Sequence, residues 1–308
     1  MKLDQRGDIA IAEIVFYVPI LTLSIVLSVR HGATRKAGWI LFAVLSIARI
    51  IGGITHVLSE QNPSNVTLQV IYTIVESAGL SPLLLATLGF LSTVAQYSLD
   101  NTPFMGVRTF RILHLLGTAA VILAVIGGVN MSNAKNEHDL DSAATLRHIG
   151  AILFVVLYAF IVAVTAFCWL NREQVLKYRR KLLFTIIASL PFLLVRVAYS
   201  ILGAFAPSSF GFDTEGHLIP VQSNSALRHF SSSTGDWAIY LVMSVLMECI
   251  VVLIYTSAGL RLPLKQDLVD YQRAETHIPM MSQEDDSYKY AQPYSYTQPY
   301  SQDPTQRV

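Results

Sequence analysis

Residues 146–170 read LRHIGAILFVVLYAFIVAVTAFCWL, and no charged side chain occurs between Ile149 and Leu170. A helix rises about 1.5 Å per residue, so this run is long enough to cross about 30 Å of hydrocarbon. Six further apolar runs of comparable length lie at about 9–28, 38–58, 67–95, 110–130, 181–204 and 237–258 on the same criterion. Unpaired backbone groups in lipid cost several kcal/mol each, so runs of this kind must be helices. The composition agrees: 53% of the 308 residues are hydrophobic, 14% are charged and the mean hydropathy is positive. The expected fold is all-α, a polytopic seven-transmembrane helix bundle at residues 1–264.

Charge and cysteine content exclude several classes. The formal net charge is +1, which leaves no global basic field to hold nucleic acid. Cys168 and Cys249 both sit inside apolar runs, so neither a disulfide framework nor a cysteine metal knot is expected. Glu13 interrupts the first run and no small-residue cleavage site follows it, which reads as a retained span. Pro19, Pro82 and Pro191 predict kinks in the first, third and sixth spans.

Lysines and arginines near the span ends set the orientation. Thirteen fall in the first, third and fifth loops and after the last span, against five on the other side. The positive-inside rule then expects the N-terminus outside and the C-terminus cytoplasmic. Two N-x-S/T sequons, at Asn65 and Asn130, fall on the expected outer side. In the fifth loop Arg172, Lys177, Arg179, Arg180 and Lys181 are expected to face anionic lipid headgroups. The sixth loop, about 205–236, is the long outer connection, read either as a lid or as a plain surface loop. Residues 265–308 are polar, carry six of the fourteen tyrosines and repeat Gln-Pro-Tyr-Ser. They read as a disordered cytoplasmic tail, either solubilising or docking cytoplasmic partners.

Ionised side chains within a span are costly unless paired or hydrated, which makes Arg49, Glu76, Arg196 and Glu248 the candidate site. The rise per residue places all four roughly 12–16 Å below the outer boundary, in one layer. The pairings Arg49 with Glu76 and Arg196 with Glu248, or the crossed ones, both remain open. Ser46, Arg49, Gly52, Gly53 and His56 form one helical stripe on the second span. On the sixth, Ser189, Arg196, Ser200 and Gly203 make a similar face, consistent with parallel 3+1+3 repeats. Glu13, His56 and His148 read as a shallower outer mouth. No metal or cofactor is expected.

Absences narrow the function. The last span has no lysine for retinal, and the Asp-Arg-Tyr and Asn-Pro-x-x-Tyr signatures of rhodopsin-type receptors are missing. Histidines for an intramembrane zinc hydrolase or a haem carrier are not in place. No P-loop, G-x-S-x-G or H-E-x-x-H occurs.

The Ser46-Ile47-Ala48-Arg49-Ile50-Ile51-Gly52-Gly53 run, Glu76 in the third span, the basic Tyr178-Arg179-Arg180-Lys181 and Arg196 resemble an uncharacterised family of seven-span integral membrane proteins of filamentous fungi. The resemblance covers about residues 8–265 and implies architecture and source, the family being a domain of unknown function. The layout is more distantly similar to fungal lipid-translocating exporter and Pth11-like receptor groups. Two functions are therefore expected: a non-enzymatic receptor-like or sensor protein binding a small or amphiphilic ligand in an outer-half cavity lined by Arg49, His56, Glu76, Arg196 and Glu248, or a secondary carrier or exporter. Membrane lipids are the expected surroundings, in the plasma membrane or an endomembrane.

Overall fold

A computed structural model describes residues 4–31, 38–62, 68, 71–72, 74–76, 79–95, 106–132, 134, 136–207, 210–212, 218–220, 225–231 and 235–263. The chain divides into two units, Met1–Leu264 and Lys265–Val308. The second unit, with the expected tail, lies outside the described residues, as does Asn65 of the first sequon.

Among the described residues, seven helices are long and apolar enough to cross a membrane. They are α1 (Gln5–His31), α2 (Trp39–Gln61), α3 (Leu80–Ala95), α4 (Val107–Ser132), α5 (Glu137–Leu170), α6 (Lys177–Ala204) and α7 (Trp237–Arg261). The third candidate span starts earlier than α3, at Ile74, and includes helical residues 74–76. Pro82 sits in the first turn of α3, where the amide hydrogen it lacks would have had no helical partner. Pro19 and Pro191 lie inside α1 and α6, which continue on either side of them. Strands were not expected. Among the described residues of the sixth loop, however, Phe210–Phe212 (β1) and Leu218–Pro220 (β2) pair antiparallel with Gly211 opposite Ile219, and a 3₁₀ turn spans Ala226–Phe230. The loop's backbone has no lipid to shield it and can use short ladder pairing that a span cannot.

Burial distinguishes one span from the rest. In the third, 82% of the most apolar window is buried, against 33–44% in the other six. The third is therefore the hub, and outward rows such as Val15, Val18, Ile25 and Val29 on α1 stay exposed for lipid. Neighbouring helices alternate in direction. At the face where α1 begins, Asp4 N donates to Glu60 at 3.3 Å and Arg6 Nη2 donates to Gly235 O at 2.5 Å. At the opposite face Arg30 Nη1 donates to Leu260 O at 3.1 Å.

The opposite half is closed by aromatic rings. Trp39 and Phe42 of α2, Phe90 of α3 and Tyr255 of α7 meet with centroids 4.5–5.7 Å apart in four of their pairings. The Tyr255 hydroxyl is 2.6 Å from Ser189 Oγ and donates to Thr87 Oγ1 at 3.2 Å, so its burial leaves no polar group unmet. Arg179 corrects the expectation for the basic loop. It is 5% exposed and donates to Thr93 O at 2.6 Å, where the last turn of α3 presents carbonyls that lack helical donors.

The α1–α2 contact depends on Gly53. A Cβ there would stand 2.7 Å from Ile14 Cγ1 and 3.0 Å from the Ala10 carbonyl oxygen, and the carbonyl belongs to a helix that cannot yield locally. At Gly128 on α4 the same atom would meet Ile74 Cγ1 at 3.7 Å, an ordinary contact. Gly53→Val should lower stability in detergent by about 1–3 kcal/mol through overpacking, whereas Gly128→Ala should leave the thermal midpoint essentially unchanged. Equal midpoints for the two variants would show that α1 and α2 are not held at this distance.

Candidate functional site

The stripe on α2 turns inward as its spacing requires: Ser46, Arg49, Gly52 and Gly53 are all buried. Arg49 is at the centre of the structure's polar layer. Its Nε donates to Glu248 Oε1 at 2.6 Å and its Nη2 to Glu248 Oε2, a two-pronged grip that matches the guanidinium fork. Its Nη1 donates to Glu76 Oε2 at 2.6 Å. Gly79 makes room for this fan, because a Cβ there would stand 3.0 Å from Arg49 Nη2.

Arg196 completes the layer from α6. Its Nε is 3.5 Å from Glu248 Oε2, its Nη2 is 3.7 Å from Glu76 Oε1, and its Nη1 donates to Ser200 Oγ at 3.0 Å. Both pairings left open by the sequence therefore occur together. Each carboxylate bridges the two arginines, and the result is a network rather than two separate pairs.

Hydroxyls satisfy the remaining lone pairs. Tyr17 donates to Glu248 Oε1 at 2.7 Å, Tyr240 to Glu76 Oε2 at 3.0 Å and Ser244 to Glu76 Oε1 at 3.4 Å. Tyr240 and Ser244 belong to a distorted stretch of α7, in which Leu241–Leu246 forms a π-helical turn. Residues four apart on an α-helix drift about 40° round the axis. The wider π turn opposes that drift and keeps residues 240, 244 and 248 pointing at one network.

The placement of Glu13 corrects the expected outer mouth. Glu13 is 6% exposed, with Oε1 3.7 Å from Arg49 Nη1 and 3.5 Å from the Tyr240 hydroxyl. The reason is a boundary: α1 begins at Gln5 instead of near residue 9, so Glu13 lies roughly 12 Å into the helix. His56 does not join the layer. Its ring packs against Tyr72 at 4.3 Å, and Nε2 is 3.3 Å from Glu60 Oε1. His148 stacks on Phe205 at 4.2 Å with ring planes 5° apart. Glu13, His56 and His148 therefore do not converge, and among the described residues no three His, Cys, Asp or Glu side chains are grouped to hold a metal ion.

A small, partly open cleft of about 60 Å³ lies beside the layer, between α4, α5 and α6. Of the five residues expected to line a cavity it takes in Glu76 and Arg196; its walls otherwise include Arg147, Phe154, Tyr199 and Ser200. Arg49 and Glu248 are fully engaged within the network, and His56 faces Tyr72. The apolar run 146–170 places Arg147 at its outer end. In the structure α5 starts at Glu137, which puts Arg147 nearly three turns inside the helix. The available signal was Glu137 and Asp139, acidic residues suited to a first helical turn. Tyr17, Tyr199, Tyr240 and Ser244 carried no signal, since such residues are common at helix interfaces without a polar target.

The fold and site together define a multi-pass membrane protein of seven apolar helices with an arginine–glutamate network buried inside the bundle. The chain belongs to the family described as a domain of unknown function, DUF7702, whose model matches residues 3–219. The match takes in Glu13, Arg49, Glu76, Arg147 and Arg196 and ends before α7, which supplies Tyr240, Ser244 and Glu248. A comparison with curated proteins finds no match.

Arg49 and Arg196 face Glu13, Glu76 and Glu248, so a fully ionised layer would hold two positive and three negative charges. Glu13 makes the longest contacts of the three carboxylates and can be neutral without stranding a guanidinium. Glu248→Gln should therefore cost about 3–5 kcal/mol of stability, the scale of breaking a buried pair, while Glu13→Gln should shift it by less than about 1 kcal/mol. Thermal unfolding of both variants in detergent checks this. A loss at Glu13 as large as that at Glu248 would mean that all three carboxylates are needed as anions.

Proposed function

We propose that the protein is a non-enzymatic, receptor-like sensor that binds a small amphiphilic ligand in the cleft between α4, α5 and α6. One observation carries this reading. The cleft reaches the charge layer at Glu76 and Arg196, while the half of the bundle beyond that layer is closed by Trp39, Phe42, Phe90 and Tyr255. A ligand has somewhere to bind, and among the described residues the aromatic cluster closes the way beyond the layer. A bound molecule would touch Arg196 and Glu76 and so bias a network that ties α2, α3, α6 and α7 together. That is the kind of differential contact a sensor requires.

The carrier alternative gains less support. Parallel 3+1+3 repeats would make the third and seventh spans equivalent, yet 82% of one window and 33% of the other is buried. In liposomes holding a pH-sensitive dye, the protein should pass no more protons under an imposed gradient than protein-free vesicles do. Native mass spectrometry of the protein in mild detergent should show a co-purified amphiphile. Gradient-driven proton flux would overturn the sensor reading in favour of the carrier.

The orientation that fits the basic residues is N-terminus outside and tail cytoplasmic, in the plasma membrane or an endomembrane of a filamentous fungus, with the tail free to dock cytoplasmic partners. In a background with Cys168 and Cys249 replaced by Ala, Ser142→Cys should react with an impermeant maleimide on intact cells or right-side-out vesicles. Glu173→Cys should react only after permeabilisation. Labelling of both from one side would reverse this assignment.

A further inference from the structure

Arg147 is the starting point. Its guanidinium carries five N–H groups, of which Nη1 donates to Met131 Sδ at 3.0 Å and Nη2 to Gly203 O at 3.0 Å. Both acceptors are neutral, and among the described residues no carboxylate lies within ion-pair distance of it. The arginines of the central polar layer are different: Arg49 faces three glutamates and Arg196 two. Glu76 lines the same cleft, but Arg49, Arg196, Tyr240 and Ser244 already occupy its two oxygens. Arg147 is thus a cation inside a helical span with a charge left uncompensated.

Tyr199 supplies a second and independent observation. It also lines the cleft, is 3% exposed, and its hydroxyl is buried with no hydrogen-bond partner. A buried hydroxyl left unmet is uncommon and costs stability unless something outside the chain meets it. Nothing about packing requires the oxygen. Phenylalanine would fill the same space, since the ring's neighbours are the Arg196 guanidinium at 5.8 Å and the Tyr240 ring at 6.3 Å. Ser200, beside it, already accepts from Arg196 and still has its own hydrogen to donate.

The rest of the wall is apolar, with Ala124, Ala151 and Phe154. A small hydrophilic anion would lose its water there and regain only part of that loss. An acyl chain entering with its headgroup gains from the same surface. We infer that the cleft between α4, α5 and α6 is a binding site for a single-chain anionic amphiphile, whose phosphate or carboxylate headgroup is held by Arg147 and the Tyr199 hydroxyl. This rests on the sensor reading above and adds to it the charge and class of the ligand.

The test uses the full chain in a neutral maltoside detergent with four probes: lauroyl lysophosphatidate, glycerol 3-phosphate as its headgroup alone, monolauroylglycerol as a neutral amphiphile, and a dodecyl ammonium salt as a cationic one. Binding is followed by the ligand-induced rise in thermal midpoint and by native mass spectrometry. Lysophosphatidate should bind saturably and at least tenfold more tightly than the other three. Arg147→Gln should weaken it at least tenfold, and Arg147→Lys by less. Tyr199→Phe is the safeguard against misfolding. It removes an oxygen that bonds to nothing, so it should leave the unliganded midpoint unchanged or raised while weakening lysophosphatidate several-fold. Unchanged affinity in both Arg147→Gln and Tyr199→Phe would overturn the assigned site. Equal binding of glycerol 3-phosphate would show a soluble-anion site instead, and tighter binding of the neutral or cationic amphiphile would refute the anionic class while leaving the sensor reading standing. Failure of all three amphiphiles to bind would remove the sensor reading itself.

Discussion

The bidentate grip of Arg49 on Glu248 is the interaction on which the rest of the bundle depends. In a low-dielectric interior neither charge is tolerable alone, so the second and seventh helices must present these residues to each other in the closed bundle. Once they meet, Glu76 is drawn in by the free Nη1 of Arg49, Arg196 by both carboxylates, and Tyr17 by the remaining lone pair of Glu248. Five helical segments are then fixed at one level. Apolar packing between helices in lipid is weakly directional, because lipid tails compete on equal terms with side chains. The polar layer supplies the register that packing alone would leave loose.

The layer also divides the bundle into two unequal halves. Towards the end of α7 the centre is filled by aromatic rings and by hydroxyls that satisfy one another. Towards the start of α1 the helices separate enough to leave a cleft, bordered by Arg147, which has no acidic partner among the described residues, and by Tyr199, whose hydroxyl has no hydrogen-bond partner. The π turn of α7 aims Tyr240 and Ser244 at Glu76 at the cost of regular helix hydrogen bonding.

Most of the architecture was legible in the chain itself. Seven runs of apolar residues dictate seven helices, since lipid offers no other way to satisfy the backbone. The period of 3.6 residues identified the inward face of α2 through Ser46, Arg49, Gly52 and Gly53, and charges within spans marked the residues that must find one another. Depth along a helix is a local property, so Arg49, Glu76, Arg196 and Glu248 were placed in one layer correctly. Where the boundary of a helix was misjudged, depth was misjudged with it, as Glu13 and Arg147 both demonstrate.

Tertiary structure alone decided which of the available partners each charge takes, because pairing depends on the rotation and order of helices round the bundle, and neither is encoded in hydropathy. Two arginines and two glutamates at one depth admit separate pairs, crossed pairs or a shared network, and packing selects the network. It likewise decided that the third span is the hub, that Arg179 turns inward to the end of α3, and that a cleft opens beside Arg147. What the sequence by itself determined was the set of helices and the depth of each charge, through the cost of exposing backbone and charge to hydrocarbon. Which groups touch, and where the Tyr199 hydroxyl is left without a partner, follows from contacts between residues more than two hundred positions apart, and only the folded bundle brings those together.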